Sequence, residues 1–349
     1  MAFRFSNFFA NVLLVLGVST HSVHADEIPP REPKELGSFT VQFENDLFAG
    51  SDQHYTNGIR LSWLSPEGDS LEPINWVRDL LETVAMDEDD ELTRFGLAVG
   101  QEMYTPVDRL RTDVVPDDRP YAGWLYGAMS LHTVSPSTEI SAEGKTLESV
   151  ELQLGVVGPL AFGKEAQDLV HDIRLIDRFN GWSNQLRNEP GLLLAYERKW
   201  RPGKPIPVGP LQFDYIPHVG ASVGNILTHA NVGGVVRLGY NLPEDFGPPS
   251  LIKGVFPLDH VDPEKIGLYM FVSGEGRVVA HNIFLDGNTF TDSHHVDSKP
   301  FVGDFAIGAA MMFGRFRIAY THAFRSREYE GQDRYSRFGS LSASFQAAF

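Results

Sequence analysis

Four short groups of polar residues stand out because a plain structural strand has no need of them. Glu44-Asn45-Asp46 sets an acid, an amide and an acid in a row, and strands disfavour Asn and Asp. Tyr55-Thr56-Asn57-Gly58 follows at the distance of one short hairpin. Asp117-Asp118-Arg119-Pro120-Tyr121 combines two carboxylates with a guanidinium, and His171 is followed by Gly181-Trp182 and Asn188-Glu189-Pro190. Singly, each has an ordinary reading: turn chemistry for the first, a bulge at Gly58, a structural ion pair for Arg119. Together they can hydrolyse an ester. A neutral histidine takes a proton from water near neutral pH, while carboxylate and carbonyl oxygens hold a hard divalent cation that polarises a carbonyl. The other histidines fit this chemistry less well. His294 and His295 are adjacent on a loop, where neighbours rarely converge on one ion; His132, His218 and His322 fall within strands and are expected in a lumen or at an interface.

The elements that must position these groups are strands. Period-two stretches bounded by Gly, Pro, Asn and Asp run over 38–49, 54–65, 93–105, 121–134, 148–158, 191–201, 209–223, 231–241, 267–281, 301–313, 315–326 and 335–349. About twelve strands, several long enough to cross hydrocarbon when tilted, predict an all-β fold: an antiparallel transmembrane β-barrel. The last stretch is the clearest. Leu341, Ala343, Phe345, Ala347 and Phe349 share one face, and Ser340, Ser342, Ser344 and Gln346 share the other. That is an apolar outside and a small polar inside, ending on an aromatic residue as outer-membrane barrels do. A soluble β-protein alternates likewise but has no reason to stop on Phe.

An even strand count puts both barrel ends in the periplasm. The outer connections are then 50–53, 106–120, 159–190, 224–230, 282–300 and 327–334, with 242–266 a long loop at the periplasmic end. In 164–187 apolar residues recur at Ala166, Val170, Ile173 and Ile176, a helical spacing, so one extracellular loop is expected to carry a helix on or in the barrel mouth.

Composition narrows the class further. Arg4, the apolar run Phe8–Val18 and the small residues before Asp26 predict a signal peptide over 1–25, leaving 26–349 as the barrel; an uncleaved anchor helix is the alternative. Beyond it there is no run of about eighteen apolar residues, which rules out helical membrane spans. The absence of cysteine excludes disulfides and thiolate metal sites. A net charge of −17 argues against nucleic acid as a partner and suits recruitment of divalent cations.

The motifs FENDLF (43–48), YTNGIRLSW (55–63), GQEMYTP (100–106), DRPYAGW (118–124), VGPLAFG (157–163), GWSNQLRNEP (181–190) and FLDGNTF (284–290), in this order and spacing, resemble the outer-membrane lipid A 3′-O-deacylases, the LpxR family. The resemblance spans essentially the whole mature chain. It implies a twelve-stranded barrel in the outer membrane of a Gram-negative bacterium. This barrel removes the 3′-linked acyloxyacyl chain of lipid A by a calcium-dependent mechanism similar to that of secreted phospholipases A2. By motif, Asn45 and Asp46 match the family's Asn-Asp pair, with Asp46 on the metal; Thr56 matches its strand-two hydroxyl, and His171 its base. The family lysine after the YTP-like motif has no counterpart in VDRLRTDVV, where Arg109 and Arg111 are the nearest cations. A monomer acting on lipopolysaccharide is the implied state. The rival readings are a barrel of the same fold without catalysis, such as a small channel, adhesin or structural protein, and a barrel phospholipase. What separates enzyme from channel is whether the polar groups converge on one outward-facing site or line a lumen.

Overall fold

The computed structural model describes residues 36–46, 54–66, 92–137, 141, 143–175, 177–248 and 266–347. The expected signal peptide, the 50–53 connection, Ile176 and Phe349 lie outside them. The strands are β1 (Gly37–Asn45), β2 (His54–Leu64), β3 (Leu92–Thr105), β4 (Ala122–Ser137), β5 (Gly144–Val157), β6 (Glu189–Arg201), β7 (Ile206–Val208), β8 (Leu211–Gly224), β9 (Leu227–Tyr240), β10 (Gly267–Asn282), β11 (Phe301–Phe313), β12 (Phe316–Arg325) and β13 (Ser336–Ala347). Consecutive strands pair antiparallel, β13 pairs with β1, and β6 pairs with β8 across the three-residue β7. The twelve long strands therefore close into a barrel. In hydrocarbon only a closed sheet leaves no row of unpaired N–H and C=O groups.

Alternation along each strand follows from the two environments it separates. On β13, Ser340, Ser342, Ser344 and Gln346 are buried inside while Leu341 and Phe345 are exposed. Phe39, Val41, Ile59, Leu61, Leu97 and Val99 continue the exposed apolar band. Outward aromatic rings touch near both rims. Phe316 lies 5.5 Å from Phe313 and 4.8 Å from Phe345 toward the end where β1 begins and β13 finishes, and Phe324 lies 6.1 Å from both Phe305 and Tyr335 at the crown opposite. Such girdles mark the two membrane interfaces.

Among the described residues, buried polar side chains pair across the lumen. Arg60 donates to both oxygens of Glu151 at 2.8 and 2.7 Å, and His132 sits between Ser149 (2.8 Å) and Ser130 (2.9 Å). His218 meets Glu275 at 3.2 Å. Near the terminal end the start of the long 242–266 connection folds inward. Asp245 joins Arg237 and, at 2.9 Å, Arg317, while Phe246 packs with Leu64 and Leu147. His132 and His218 are thus lumenal, and His322 is outward, its ring tilted against Phe324 at 4.7 Å.

The expected elements are corrected in three places. β9 begins at Leu227 rather than 231, so the connection expected over 224–230 shrinks to a tight turn at Asn225-Ile226. The Asn225 carboxamide accepts from Leu192 N and Ile226 is fully buried, so polar turn residues were spent on pinning rather than on a loop. β5 starts four residues early, at Gly144. The loop helix α1 (Gly163–Arg174) packs on β3 and β4 from outside the barrel, not in its mouth.

Asp245 neutralises two buried guanidinium groups, and removing one partner of a buried pair costs about 3–5 kcal/mol. Asp245→Ala is expected to lower the urea midpoint of the reconstituted barrel and to raise its conductance in planar bilayers as the inward segment loosens. An unchanged midpoint with a silent bilayer would show that the segment is held by Phe246 alone.

Candidate functional site

Four outward positions align across neighbouring strands near the crown. Asn45 is the register partner of Asn57, Asn57 of Met103, and Met103 of Gly123. The alternation aims all four at the membrane side, yet Asn45 is 4%, Asn57 5% and Met103 3% exposed. A cover therefore lies on the wall here. Beside this row the register slips between Tyr55 and Asn57, so Thr56 occupies a β-bulge on β2, the device by which a strand re-aims a residue. Asp46 follows Asn45 and is fully buried.

Over Met103 and Gly123 the cover is the connection between β5 and β6. It turns at Gly158, whose φ of 97° and 2.7 Å clearance from the Arg187 carbonyl carbon leave no room for a side chain. A short 3-10 turn, Pro159–Ala161, then lowers the chain onto β4. A Cβ on Gly123 would stand 3.1 Å from the Ala161 Cβ and 3.3 Å from Gly163 N, so the missing side chain admits the helix start. Gln101 ties the turn down by donating to the Ala161 carbonyl at 2.6 Å.

On α1 the buried stripe is Gly163, Gln167 and His171, one turn apart each. His171 is 2% exposed. Its Nδ1 lies 2.6 Å from the Asp177 carbonyl oxygen, so Nδ1–H donates there and Nε2 is left as the basic atom. No other hydrogen bond to the ring occurs among the described residues. The carbonyl is presented by a turn that Arg178 closes, donating to both oxygens of Asp172 at 2.9 and 2.5 Å. The imidazole edge meets Phe179 at 5.4 Å, and Phe179 joins Met103, Tyr121 and Trp182 in one apolar cluster. Trp182 Nε1 donates to Gln167 Oε1 at 2.6 Å. Gln167 Nε2 takes no partner among the described residues, so this buried amide can serve a water or ligand oxygen. Through Met103 the cluster abuts the row carrying Asn57 and Asn45.

The crown loops hold this assembly in place. Asn180 N donates to the Arg109 carbonyl at 2.9 Å, and Asn184 Nδ2 to that of Thr112 at 2.8 Å. The two candidate arginines differ. Arg109 is half-buried where its backbone docks beside Phe179, whereas Arg111 is forked onto exposed Asp113 at 3.0 and 2.5 Å. Arg119 is buried against Glu328 at 2.7 Å and stacks over Tyr104 and Tyr329, which makes it the structural ion pair that its motif allowed. Asp118 receives Val107 N, Arg119 N and the Tyr329 hydroxyl. Glu189 collects Asn225, Asn288, Thr289 and Phe290, so the GWSNQLRNEP and FLDGNTF motifs are loop pins.

His171 thus meets an apolar cluster on the outer wall, and through Met103 that cluster borders Asn57, whose partner on β1 is Asn45, with Asp46 next in the chain. The Ala166, Val170, Ile173 spacing identified the helix but not its buried face, because Ile173 is 68% exposed. Gln167 and Asn57 were not singled out as site residues; the four-residue step from Gln167 to His171 was the available signal. His294 and His295 bond to different carbonyls, those of Asp118 and Ser293. Among the described residues no three His, Cys, Asp or Glu side chains cluster as metal ligands. The side-chain oxygens of Asp46, Asn45 and Asn57 are nonetheless of the kind a hard cation takes, which accepts amide and backbone oxygens beside a single carboxylate.

A family model described as outer membrane protein LpxR matches residues 9–347. The solved structure of LpxR from Salmonella typhimurium superposes with a TM-score of 0.68 at 19% identity, covering 88% of this chain and 99% of that one. The KdgM porin gives a TM-score of 0.37 at 6% identity, covering 88% of this chain and 98% of the porin. No curated protein matches the chain.

Burial by itself would raise the Glu328 carboxyl, but Arg119, Arg325 and Arg277 hold it down at about 2. A folded value below the unfolded one of about 4.3 gives stability that is complete above that pH and lost as pH falls toward 2. Hydrogen exchange of the 106–120 loop is therefore expected to accelerate between pH 4 and pH 2, and at neutral pH in Glu328→Gln. Equal protection in the variant would mean that the crown does not rest on this pair.

Proposed function

The chain belongs to the LpxR family of outer-membrane proteins, and on that premise we propose that it is a lipid A deacylase that hydrolyses the 3′-linked acyloxyacyl ester in the outer leaflet. The observation that carries this reading is His171: a buried imidazole on the outside of a barrel, its Nδ1 engaged by the Asp177 carbonyl and its Nε2 available. A channel has no use for a buried base on the outside of its wall, and this point favours the enzyme over the inert barrel.

In the reaction His171 Nε2 takes a proton from water as the water oxygen attacks the ester carbonyl carbon. The tetrahedral intermediate then expels the sugar oxygen, which recovers the proton from the imidazolium. Asn45 and Thr56 orient the water or the developing oxyanion, and Gln167 offers an N–H to the same region. Asp46, with neighbouring amide and backbone oxygens, is the carboxylate that would hold calcium. The chemistry a bound calcium ion supplies is polarisation of the ester carbonyl. Arg109 or Arg111, both on the loop whose backbone carries the Asn180 and Asn184 hydrogen bonds, is the cation that would contact a lipid A phosphate. The enzyme is taken to act as a monomer on lipopolysaccharide.

A positioned general base contributes about 10²–10⁴-fold to rate. His171→Gln should leave the barrel heat-modifiable on gels while deacylation, read by mass spectrometry of lipid A from expressing cells, falls at least about a hundredfold. A loss of only a few-fold would make the histidine structural and restore the non-catalytic barrel as the better reading.

The metal is tested separately. Calcium chelation and Asp46→Ala are each expected to abolish hydrolysis with the fold intact, and full activity in chelator would remove the metal from the mechanism.

A further inference from the structure

Helix α1 has three sides, not two. At about 100° per residue, Gly163, Gln167 and His171 form the side set against the wall. Lys164, Asp168 and Asp172 fall on one flank, where Lys164 meets Asp168 at 2.6 Å and Arg178 meets Asp172. Ala166, Leu169, Val170 and Ile173 fall on the other. The outer part of that flank is not buried in the protein: Leu169 is 61% and Ile173 68% exposed, while Ala166 packs on the wall cluster. The residues bracketing the helix share this exposure. Leu160 is 55%, Phe162 54% and Leu175 92% exposed. Phe162 and Leu175 also adopt left-handed backbone, with φ of 54° and 56°, at the two caps where glycine or asparagine would be cheaper. Large apolar side chains are thus held outward at both ends of a helix whose opposite flank is charged. Leu154 on β5 and Leu192 on β6 are outward, apolar and about half exposed as well. The apolar flank is therefore a continuation of the lipid-facing band, raised onto a loop.

From these features we infer that α1 is an interfacial membrane helix. Its Leu169–Ile173 flank, with Phe162 ahead and Leu175 behind, lies in the acyl-chain region of the outer leaflet, and its Lys164–Asp168–Asp172 flank faces water. The partner of this surface is lipid hydrocarbon. The inference does not depend on catalysis, since an inactive barrel with this helix would seat it in the same way. It fixes the depth of the His171 side of the helix at the boundary between chains and headgroups.

The chain has no cysteine, so single cysteines can carry nitroxide labels at Leu169, Ile173, Glu165 and, as a standard in the band, Leu154. The labelled barrels are reconstituted into vesicles of phosphatidylethanolamine and phosphatidylglycerol and checked for heat-modifiability. Relaxation by oxygen, which partitions into hydrocarbon, is compared with relaxation by a water-soluble nickel chelate. Labels at 169 and 173 are expected to show the oxygen-dominated ratio of the label at 154, with the label at 165 nickel-dominated. Labels at 169 and 173 that match 165 would place the helix in water and overturn the inference, whatever the outcome of the deacylation assay.

Discussion

Everything in this molecule is arranged around backbone hydrogen bonding in a medium that offers none. Closing the sheet between β6 and β8, and again between β1 and β13, satisfies the wall from within. Two solvents then act on its two faces. The outer face must be apolar, so the inner one is free to be polar. Because twelve strands enclose a narrow bore, that polarity is packed as buried pairs: Arg60 with Glu151, Asp245 between Arg237 and Arg317, Arg119 with Glu328. Each would be a poor investment if left half made, since an unpartnered buried charge costs far more than the pair returns.

The site breaks the apolar rule for the outside and compensates locally. Asn45 and Asn57 are buried amides where a barrel wants Val or Leu, and beside them the 158–188 connection is folded down over Met103 and Gly123. That arrangement requires two absent side chains, at Gly158 and Gly123, and an apolar seal of Met103, Tyr121, Phe179 and Trp182. The seal also removes water from around His171. A carbonyl acceptor on Nδ1 then sets which ring nitrogen is basic without introducing a second charge into the pocket.

Much of this was legible in the chain and some was not. Strand positions could be read because a wall between lipid and a polar interior imposes a strict period of two, nowhere more plainly than over Ser340–Gln346. The β8–β9 connection was misread because Asn225, an apparent loop residue, spends its carboxamide on β6. The helix was found from Ala166, Val170 and Ile173, but its wall-facing side was not. Helical periodicity assumes that apolar means inward, and that assumption fails wherever the surroundings are themselves apolar. Arg119 and Arg109 look alike in sequence; only partners distant along the chain, Glu328 and Asn180, separate a strut from a candidate contact.

The outward placement of His171 also changes what concentration means for this pocket. A ligand that arrives through the leaflet is confined to a plane and oriented by it, with its headgroup and chains already at fixed depths. Its supply is set by mole fraction among lipids and by lateral diffusion, not by molarity in the surrounding fluid. For the proposed hydrolase, soluble esters would approach from the wrong direction, so selectivity against them would be geometric before it is chemical, following from the side of the wall on which the helix lies.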